Sequence, residues 1–234
     1  MDTAISIQNL SKRFGGTVAV NDVTLDLEPD GMFGLIGPNG SGKSTLFNLV
    51  VGAHRPTAGL VRIHGQTVSG LPTHRVAKIG AVRTFQARTL FDNRTVRGNV
   101  ALAKAFSKSD ESVEDVLRLS GLEKCADDLA RAIPTEGARR LAIAMAAMVR
   151  PRVLLLDEPA AGLAPGELIR LSEFLVELKS RLNATVWVVD HDMGFLLGLV
   201  ERVIVMDDGS VIADGTPTEI RRSPRVRSVY LGPE

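Results

Sequence analysis

The sequence predicts an α/β fold whose centre is a parallel β-sheet. Apolar or largely apolar segments, at residues 32–36, 153–156 and 185–189, are typical of strands buried on both faces of a sheet. Helical patterns separate these segments, and strands that alternate with helices build parallel sheets. With 234 residues, the chain is long enough to bury a substantial core as one domain.

The N-terminal part is predicted to form antiparallel β-structure. Apolar residues alternate or nearly alternate from residue 4 to residue 27, and Gly15-Gly16 marks a turn between the two halves. The apolar strand at residues 32–36 runs into a glycine-rich loop, which is followed by a helix that stops at Gly52. Further short strands are expected at residues 61–63 and around residues 82–85.

The middle of the chain changes character and predicts a helical insertion. From residue 87 to about residue 129 the sequence is polar, with apolar residues at helical spacing and acids near the start of one segment. We therefore expect a core at residues 1–86 and 150–234 and an inserted α-helical subdomain at residues 87–149. A leucine-faced helix at residues 166–182 and a strand with a hairpin at residues 202–215 are expected to complete the core.

Composition limits the classes of function. Lysine and arginine total 28 against 27 aspartate and glutamate, so the net charge of +1 gives no support for a nucleic-acid partner. The single cysteine, Cys125, excludes an intramolecular disulfide. The N-terminus lacks the pattern of a secretory signal, and the longest apolar run is far shorter than the ~20 residues of a membrane helix. We expect a soluble cytoplasmic chain that reaches a membrane only through a partner.

The glycine-rich loop fits the phosphate-binding pattern G-x-x-x-x-G-K-[ST] in full, between a strand and a helix. It comprises Gly37, Pro38, Asn39, Gly40, Ser41, Gly42, Lys43 and Ser44. Glycines let successive backbone N–H groups turn inward around a β-phosphate, and the helix N-terminus favours an anion. Lys43 is expected to reach the β/γ oxygens, and the Ser44 hydroxyl is expected to ligate Mg²⁺.

Polar side chains at the ends of two later strands predict the rest of a nucleotide site. Asp157 follows four apolar residues, and at a strand tip its carboxylate can hold Mg²⁺ while Glu158 polarises an attacking water. His191 lies just past the strand at 185–189, within reach of a γ-phosphate. His54, His64 and His74 show no metal-like spacing, and we expect them at the surface.

Together these segments resemble the nucleotide-binding subunits of ABC transporters over nearly the whole chain. The order of GPNGSGKST, VRTFQ, ARRLAIAMA, VLLLDEP and DHDM matches that family. The resemblance implies a P-loop NTPase (RecA-like) parallel-sheet core with an N-terminal antiparallel β subdomain and an inserted α-helical subdomain. It also implies an ATPase that binds ATP and Mg²⁺.

The resemblance adds roles for individual residues. Gln86 corresponds to the family's glutamine that senses Mg²⁺ and water and links the core to the helical insert. Phe14 falls where the family places an aromatic ring against adenine, although an ordinary core position is the alternative. Thr45, which follows Ser44, completes the loop residues that the resemblance implies bind the nucleotide. The implied catalytic set is Glu158, His191 and Gln86, and the implied metal ligands are Ser44, Gln86 and Asp157.

One segment departs from the family. ABC subunits carry an LSGGQ turn whose backbone amides close over the γ-phosphate held by a second subunit, and residues 133–137 of this chain take its place as IPTEG. Thr135, Glu136 and Gly137 are thereby expected to act in trans, with Glu136 where a glycine belongs. Either the Glu136 carboxylate repels the partner's nucleotide, or the turn shifts so that Gly137 takes over and Glu136 swings outward.

The resemblance implies partners and a location. We expect permease subunits in the membrane, with this chain at the cytoplasmic face, and a second ABC ATPase subunit that is a different chain. LSKRFGG, DEPAAGLAP and ADGTPTEIRRSP resemble the ATPases of branched-chain amino acid importers, whose relatives carry urea, amides or aromatic acids, although the helical insert is shorter than usual there. The alternatives are a non-hydrolytic regulatory subunit, a soluble ABC protein of DNA repair or translation, and a small-molecule kinase.

Overall fold

The computed structural model describes residues 3–84, 90–107 and 110–231. Its first sheet is antiparallel and has the strand order β2-β1-β4-β5. These strands are β1 (Ile5–Phe14), β2 (Thr17–Leu27), β4 (Ala58–Ile63) and β5 (Gln66–Thr67). β1 and β2 pair directly across the Gly15-Gly16 turn, so the predicted N-terminal antiparallel structure is confirmed.

The second sheet is the predicted parallel one and has the strand order β10-β9-β3-β8-β7-β6. It comprises β3 (Met32–Ile36), β6 (Ala81–Arg83), β7 (Val153–Asp157), β8 (Thr185–Val189), β9 (Arg202–Asp207) and β10 (Ser210–Gly215). All neighbouring pairs are parallel except the hairpin of β9 and β10. The central strand β3 pairs in parallel with both β8 and β9, so the carboxyl ends of these three strands lie at one edge of the sheet.

Helices cover the second sheet and extend beyond it. They are α1 (Lys43–Val50), α2 (Thr73–Ile79), α3 (Val96–Ala105), α4 (Val113–Leu119), α5 (Thr135–Met148), α6 (Pro165–Leu182), α7 (Met193–Leu199), α8 (Pro217–Arg222) and α9 (Pro224–Leu231). The sequence patterns predicted α1, the helical region of α3 to α5, and α6. The short helices α2, α7, α8 and α9 were not predicted, because each presents too few turns for a clear apolar period.

Alternate residues of the central strands enter two different cores. Phe33 and Leu35 of β3 pack with α1 and the antiparallel sheet, whereas Met32 and Ile36 pack on the side of α5 to α7. Trp187 of β8 is fully buried in the first core, and its ring lies 5.1 Å from that of Phe47 on α1. The strand β8 thus contacts the helix that follows the glycine-rich loop.

The helix α6 shows how the predicted face is buried. Leu171, Leu175 and Leu178 are buried as expected, and Phe174 joins them, while Leu168 and Leu182 at the ends are only partly buried. In the part of the chain that the structure describes, no helix combines the length and the apolar character that crossing a bilayer requires.

Candidate functional site

A cleft of about 180 Å³ opens where the glycine-rich loop faces the ends of β7 and β8. Its lining comprises Ala19, Asn39, Gly40, Gly42, Lys43, Ser44, Thr45, Glu158 and His191. Three segments that are far apart in sequence therefore meet, as the sequence predicted for the loop, the acidic strand end and the histidine.

The loop is shaped by close backbone contacts that exclude side chains. A Cβ atom on Gly37 would lie 2.2 Å from the carbonyl oxygen of Met206, and one on Gly42 would lie 2.3 Å from that of Ala19. Gly42 has φ 100° and no side-chain cap, so the N–H groups at the start of α1 are left to face the cleft. The loop can therefore offer amides and a helix N-terminus to a phosphate.

Lys43 closes back over the loop that precedes it. Its Nζ donates to the carbonyl oxygens of Gly37 at 2.7 Å and Pro38 at 2.8 Å, and the side chain is almost fully buried. Burial lowers the pKa of Lys43, while the carboxylates of Glu158 and Asp157 raise it. A phosphate entering the cleft can take the place of one of these carbonyl partners, which brings the ammonium to the anion.

The two carboxylate oxygens of Asp157 differ in their hydrogen bonding. Its Oδ2 accepts from Arg83 Nη2 at 2.5 Å, and both side chains are buried. Among the described residues, its buried Oδ1 has no hydrogen-bond partner. An orphaned carboxylate oxygen at the end of β7, with the Ser44 hydroxyl exposed on the cleft, suits the water-rich oxygen shell of Mg²⁺. The residues present fit the metal.

Glu158 and His191 form a hydrogen-bonded pair at the mouth of the cleft. Glu158 Oε1 lies 2.9 Å from His191 Nε2, with the glutamate side chain 21% exposed and the histidine side chain 46% exposed. Glu158 has φ 49°, a left-handed conformation that is unusual for a residue with a side chain. Its N–H donates to Val189 O at 2.8 Å, which fixes the residue to the end of β8.

Asp190 connects the two strand ends and was not predicted from the sequence. Its buried carboxylate accepts from the N–H groups of Ala160 at 2.8 Å, His191 at 2.7 Å and Asp192 at 3.0 Å. Burial raises the pKa of Asp190, while these three N–H groups lower it. Asp190 therefore holds the loop after β7 and His191, which follows β8, in a fixed relationship.

Phe14 occupies an exposed position, so the ordinary core alternative is wrong. Phe14 is the last residue of β1, and it is 44% exposed. Its ring lies edge-on to the ring of His54, with 5.3 Å between the centroids, and Lys12 Nζ lies 4.8 Å from the centroid of the Phe14 ring. The strand paired with β1 carries Ala19 into the lining of the cleft. His54, expected at the surface, is half-buried beside this ring.

At residues 133–137, the alternative in which Glu136 swings outward and Gly137 takes over the turn is wrong. Glu136 neither faces outward nor lies free: it is 4% exposed in the first turn of α5, and both of its carboxylate oxygens meet Arg140. Gly137 is buried inside the helix, where a Cβ atom would make only ordinary contacts, so no shifted glycine turn forms. The exposed residue at the helix start is Thr135.

Gln86 lies outside the described residues. Arg83 and Arg139, which contact the acidic strand end, were missed, because a single arginine in an apolar or helical segment carries no spacing signal that separates it from a surface charge.

Comparison with known families gives two matches. A family model described as ABC transporter matches residues 20–161, and one described as Branched-chain amino acid ATP-binding cassette transporter matches residues 210–232. The chain is 38% identical to the high-affinity branched-chain amino acid transport ATP-binding protein BraF of Pseudomonas aeruginosa, over 97% of each chain. It has the same identity and coverage with LivG of Escherichia coli, whereas LptB of Acidithiobacillus ferridurans, a lipopolysaccharide export ATP-binding protein, is 32% identical over 99% of this chain and 98% of that protein.

Solved structures share the architecture. The ADP conformation of MJ1267, an ATP-binding cassette of an ABC transporter, superimposes with a TM-score of 0.89 at 26% identity, covering 100% of both chains. The dimeric post-hydrolysis state of the cassette MJ0796 bound to ADP and Pi gives a TM-score of 0.80 at 26% identity, over 91% of this chain and 98% of that chain.

Proposed function

We propose, from the premise that this chain belongs to the ABC transporter ATP-binding family, that it powers the import of branched-chain amino acids or a related small organic solute. As a member of this family the chain is an ATPase that binds ATP. The observation that carries the proposal for its own site is the Glu158–His191 pair, 2.9 Å apart on the cleft that the phosphate loop lines.

The geometry supports a role for each side chain in hydrolysis. Lys43 and the amides of the loop neutralise the β- and γ-phosphates, and Glu158 accepts the proton of a water that attacks the γ-phosphorus. The new P–O bond forms as the bond to the bridging oxygen of ADP breaks, and His191 donates a hydrogen bond to the γ-phosphate oxygens. Asp157 and Ser44 would hold Mg²⁺, which would supply further charge neutralisation, and Gln86 is proposed as a further ligand from the family resemblance alone.

The specific solute is proposed from two findings. Relatives of similar length named for branched-chain amino acid transport are 38% identical, and the C-terminal residues 210–232 match the family model of the same name. Because LptB is also related at 32% identity, solute identity needs a direct measurement.

We propose that the chain works as a dimer with a second ABC ATPase subunit, on the cytoplasmic side of permease subunits in the membrane. Residues 1–86 and 150–234 serve as the nucleotide-binding core and residues 87–149 as a helical arm. Since Arg140 already pairs with Glu136, repulsion at the partner's nucleotide no longer argues that the second subunit is a different chain. A copy of this chain is an equally suitable partner.

Reconstitution tests this function. The chain is purified with the permease subunits that bind it and placed in proteoliposomes with a matching solute-binding protein. Uptake driven by internal ATP is then measured for leucine, isoleucine and valine and for urea, an amide and phenylalanine. We expect uptake of the branched-chain set, abolished in Lys43→Ala. ATP-driven uptake of another solute alone would correct the substrate, and ATP hydrolysis without coupling to any permease would overturn the transport function.

A further inference from the structure

We propose that Arg139 is a positioning residue that couples the two nucleotide sites of the dimer. Arg139 lies on α5, whose first turn faces the partner's nucleotide in the proposed assembly, yet its guanidinium holds the backbone of Glu158 in this chain's own site. The inference rests on the proposed function, and it extends that function to communication between the sites.

The contact of Arg139 is a two-pronged one to main-chain oxygens. Nη1 donates to the carbonyl oxygen of Glu158 at 2.6 Å, and Nη2 donates to that of Ala161 at 2.9 Å. The planar guanidinium presents donors in a fixed fork, so two acceptors fix its orientation. The helix α5 is thereby tied to both ends of the short turn that follows β7.

The peptide groups of Glu158 are constrained on both sides. Its N–H donates to Val189 O at 2.8 Å, and its carbonyl accepts from Arg139. The left-handed φ of 49° is strained for a residue with a Cβ atom and persists only where neighbours impose it. The side-chain direction of Glu158 toward His191 therefore depends on Arg139 as well as on β8.

The N-terminal end of the same helix presents N–H groups that form no hydrogen bond among the described residues. Within the described part of the chain, the N–H groups of Thr135, Glu136 and Gly137 have no acceptor, and the first turn begins with the bond from Ala138 N to Pro134 O. Thr135 is exposed there. Arg139 follows Thr135 by about one turn, or roughly 6 Å along the axis.

A rigid helix joins these two features. An anion drawn to the first turn of α5 pulls on the helix, and Arg139 transmits that pull to the Glu158 carbonyl. Binding of ATP at the partner's site thus sets the position of Glu158, the base in this chain's own site. The coupling predicts cooperative ATP turnover that depends on Arg139.

The test compares Arg139→Gln and Arg139→Lys with a matched control, Arg118→Gln. Arg118 lies on α4 with its side chain 68% exposed, and its ion pair is with Asp115 on the same helix, so the control removes the same charge from the helical arm without touching the turn. ATP affinity, the Hill coefficient and kcat are measured in the assembled dimer. Amide hydrogen exchange is measured with and without ATP across residues 157–161, all of which except Pro159 carry an amide hydrogen.

We expect Arg139→Gln to bind ATP within about twofold of the wild type, to lower kcat by about ten- to a hundredfold, and to reduce the Hill coefficient toward 1, since a small displacement of a base is costly. Exchange at residues 157–161 should speed up. Arg139→Lys, with a single ammonium, should fall between, and Arg118→Gln should match the wild type. A wild-type Hill coefficient and unchanged exchange in Arg139→Gln would overturn the proposal.

Exchange separates this inference from the proposed function. If the wild type turns over ATP as a dimer without cooperativity, the coupling is overturned and the dimer stands, whereas turnover by the monomer overturns the dimer model itself. If the wild type is cooperative and Arg139→Gln loosens residues 157–161 but keeps the Hill coefficient, only the coupling fails, and hydrolysis by a dimer stands.

Discussion

The carboxylate of Glu136 forms an ion pair with the guanidinium of Arg140, one helical turn further along α5. Nη2 donates a hydrogen bond to Oε2 at 2.8 Å, and Nε lies 2.6 Å from Oε1 in an ion pair that lacks hydrogen-bond geometry. Arg170 Nε adds a weaker contact at 3.8 Å. The residue that replaces a family glycine is thus a buried, neutralised part of the helical arm.

Replacing Glu136 by glycine should weaken the fold and leave ATP turnover without any gain. Without Glu136, the largely buried guanidinium of Arg140 loses its carboxylate partner. We therefore expect the free energy of unfolding to fall by about 3 kcal/mol. Urea unfolding gives the stability, and a MgATPase assay over a protein concentration series gives the activity.

The matched control for that substitution is Glu114→Gly. Glu114 is also an acid in the first turn of a helix, but its side chain is 60% exposed. Glycine there should cost only about 1 kcal/mol, the propensity difference. A steep, concentration-dependent rise in ATPase activity in Glu136→Gly would instead show that the carboxylate does obstruct a partner's nucleotide.

Lys43→Ala should abolish ATP binding. The ammonium is buried among the loop carbonyls and is the only described lysine that lines the cleft, so no neighbouring cation replaces it. Calorimetric titration with ATP and a phosphate-release assay measure the effect. Lys78→Ala, an exposed lysine at the end of α2, serves as the control and should bind normally. Unchanged turnover in Lys43→Ala would remove the loop from the site.

Glu158→Gln should bind ATP and fail to hydrolyse it. An amide keeps the shape of the side chain and its hydrogen bond to His191, but it accepts no proton from water, so kcat should fall by about a hundredfold or more. ATP should then hold the dimer closed, which size-exclusion chromatography with ATP and with ADP detects. Turnover at the wild-type rate would show that Glu158 is not the base.

Phe14→Ala should raise the KM for ATP by about tenfold, because aromatic stacking on a base contributes about 1–3 kcal/mol. Stability should change little, since the ring is 44% exposed. Phe106→Ala is the control, because Phe106 is 82% exposed on the helical arm, and its KM should stay at the wild-type value. Phe14→Trp should retain binding. An unchanged KM in Phe14→Ala would place adenine elsewhere.

The sequence predicted the core strands and the phosphate loop because both follow from local chemistry. The strands at residues 32–36 and 185–189 match β3 and β8 residue for residue, since short, largely apolar runs followed by turn residues favour buried strands over helices. Lys43, Glu158 and His191 meet in one cleft because parallel strands end at the same edge.

The errors arose where a side chain chooses among partners in space. The sequence gives Glu136 and Arg140 a helical spacing of four residues, which permits an ion pair, but the burial of that pair against α4 depends on packing between helices. Arg139 and Asp190 act on main-chain groups of loops distant in sequence, and no residue pattern records which carbonyl or N–H they reach.

The burial of Trp187 gives the protein an intrinsic fluorescent probe. It is the only tryptophan in the sequence, it has no exposed surface, and among the described residues its indole N–H has no acceptor, so its emission should lie at short wavelength. Its ring contacts Phe47 on the helix that begins at Lys43. Changes of intensity on adding nucleotide can therefore be followed in stopped-flow experiments without attaching a dye, and the shift to longer wavelength in denaturant marks loss of the core.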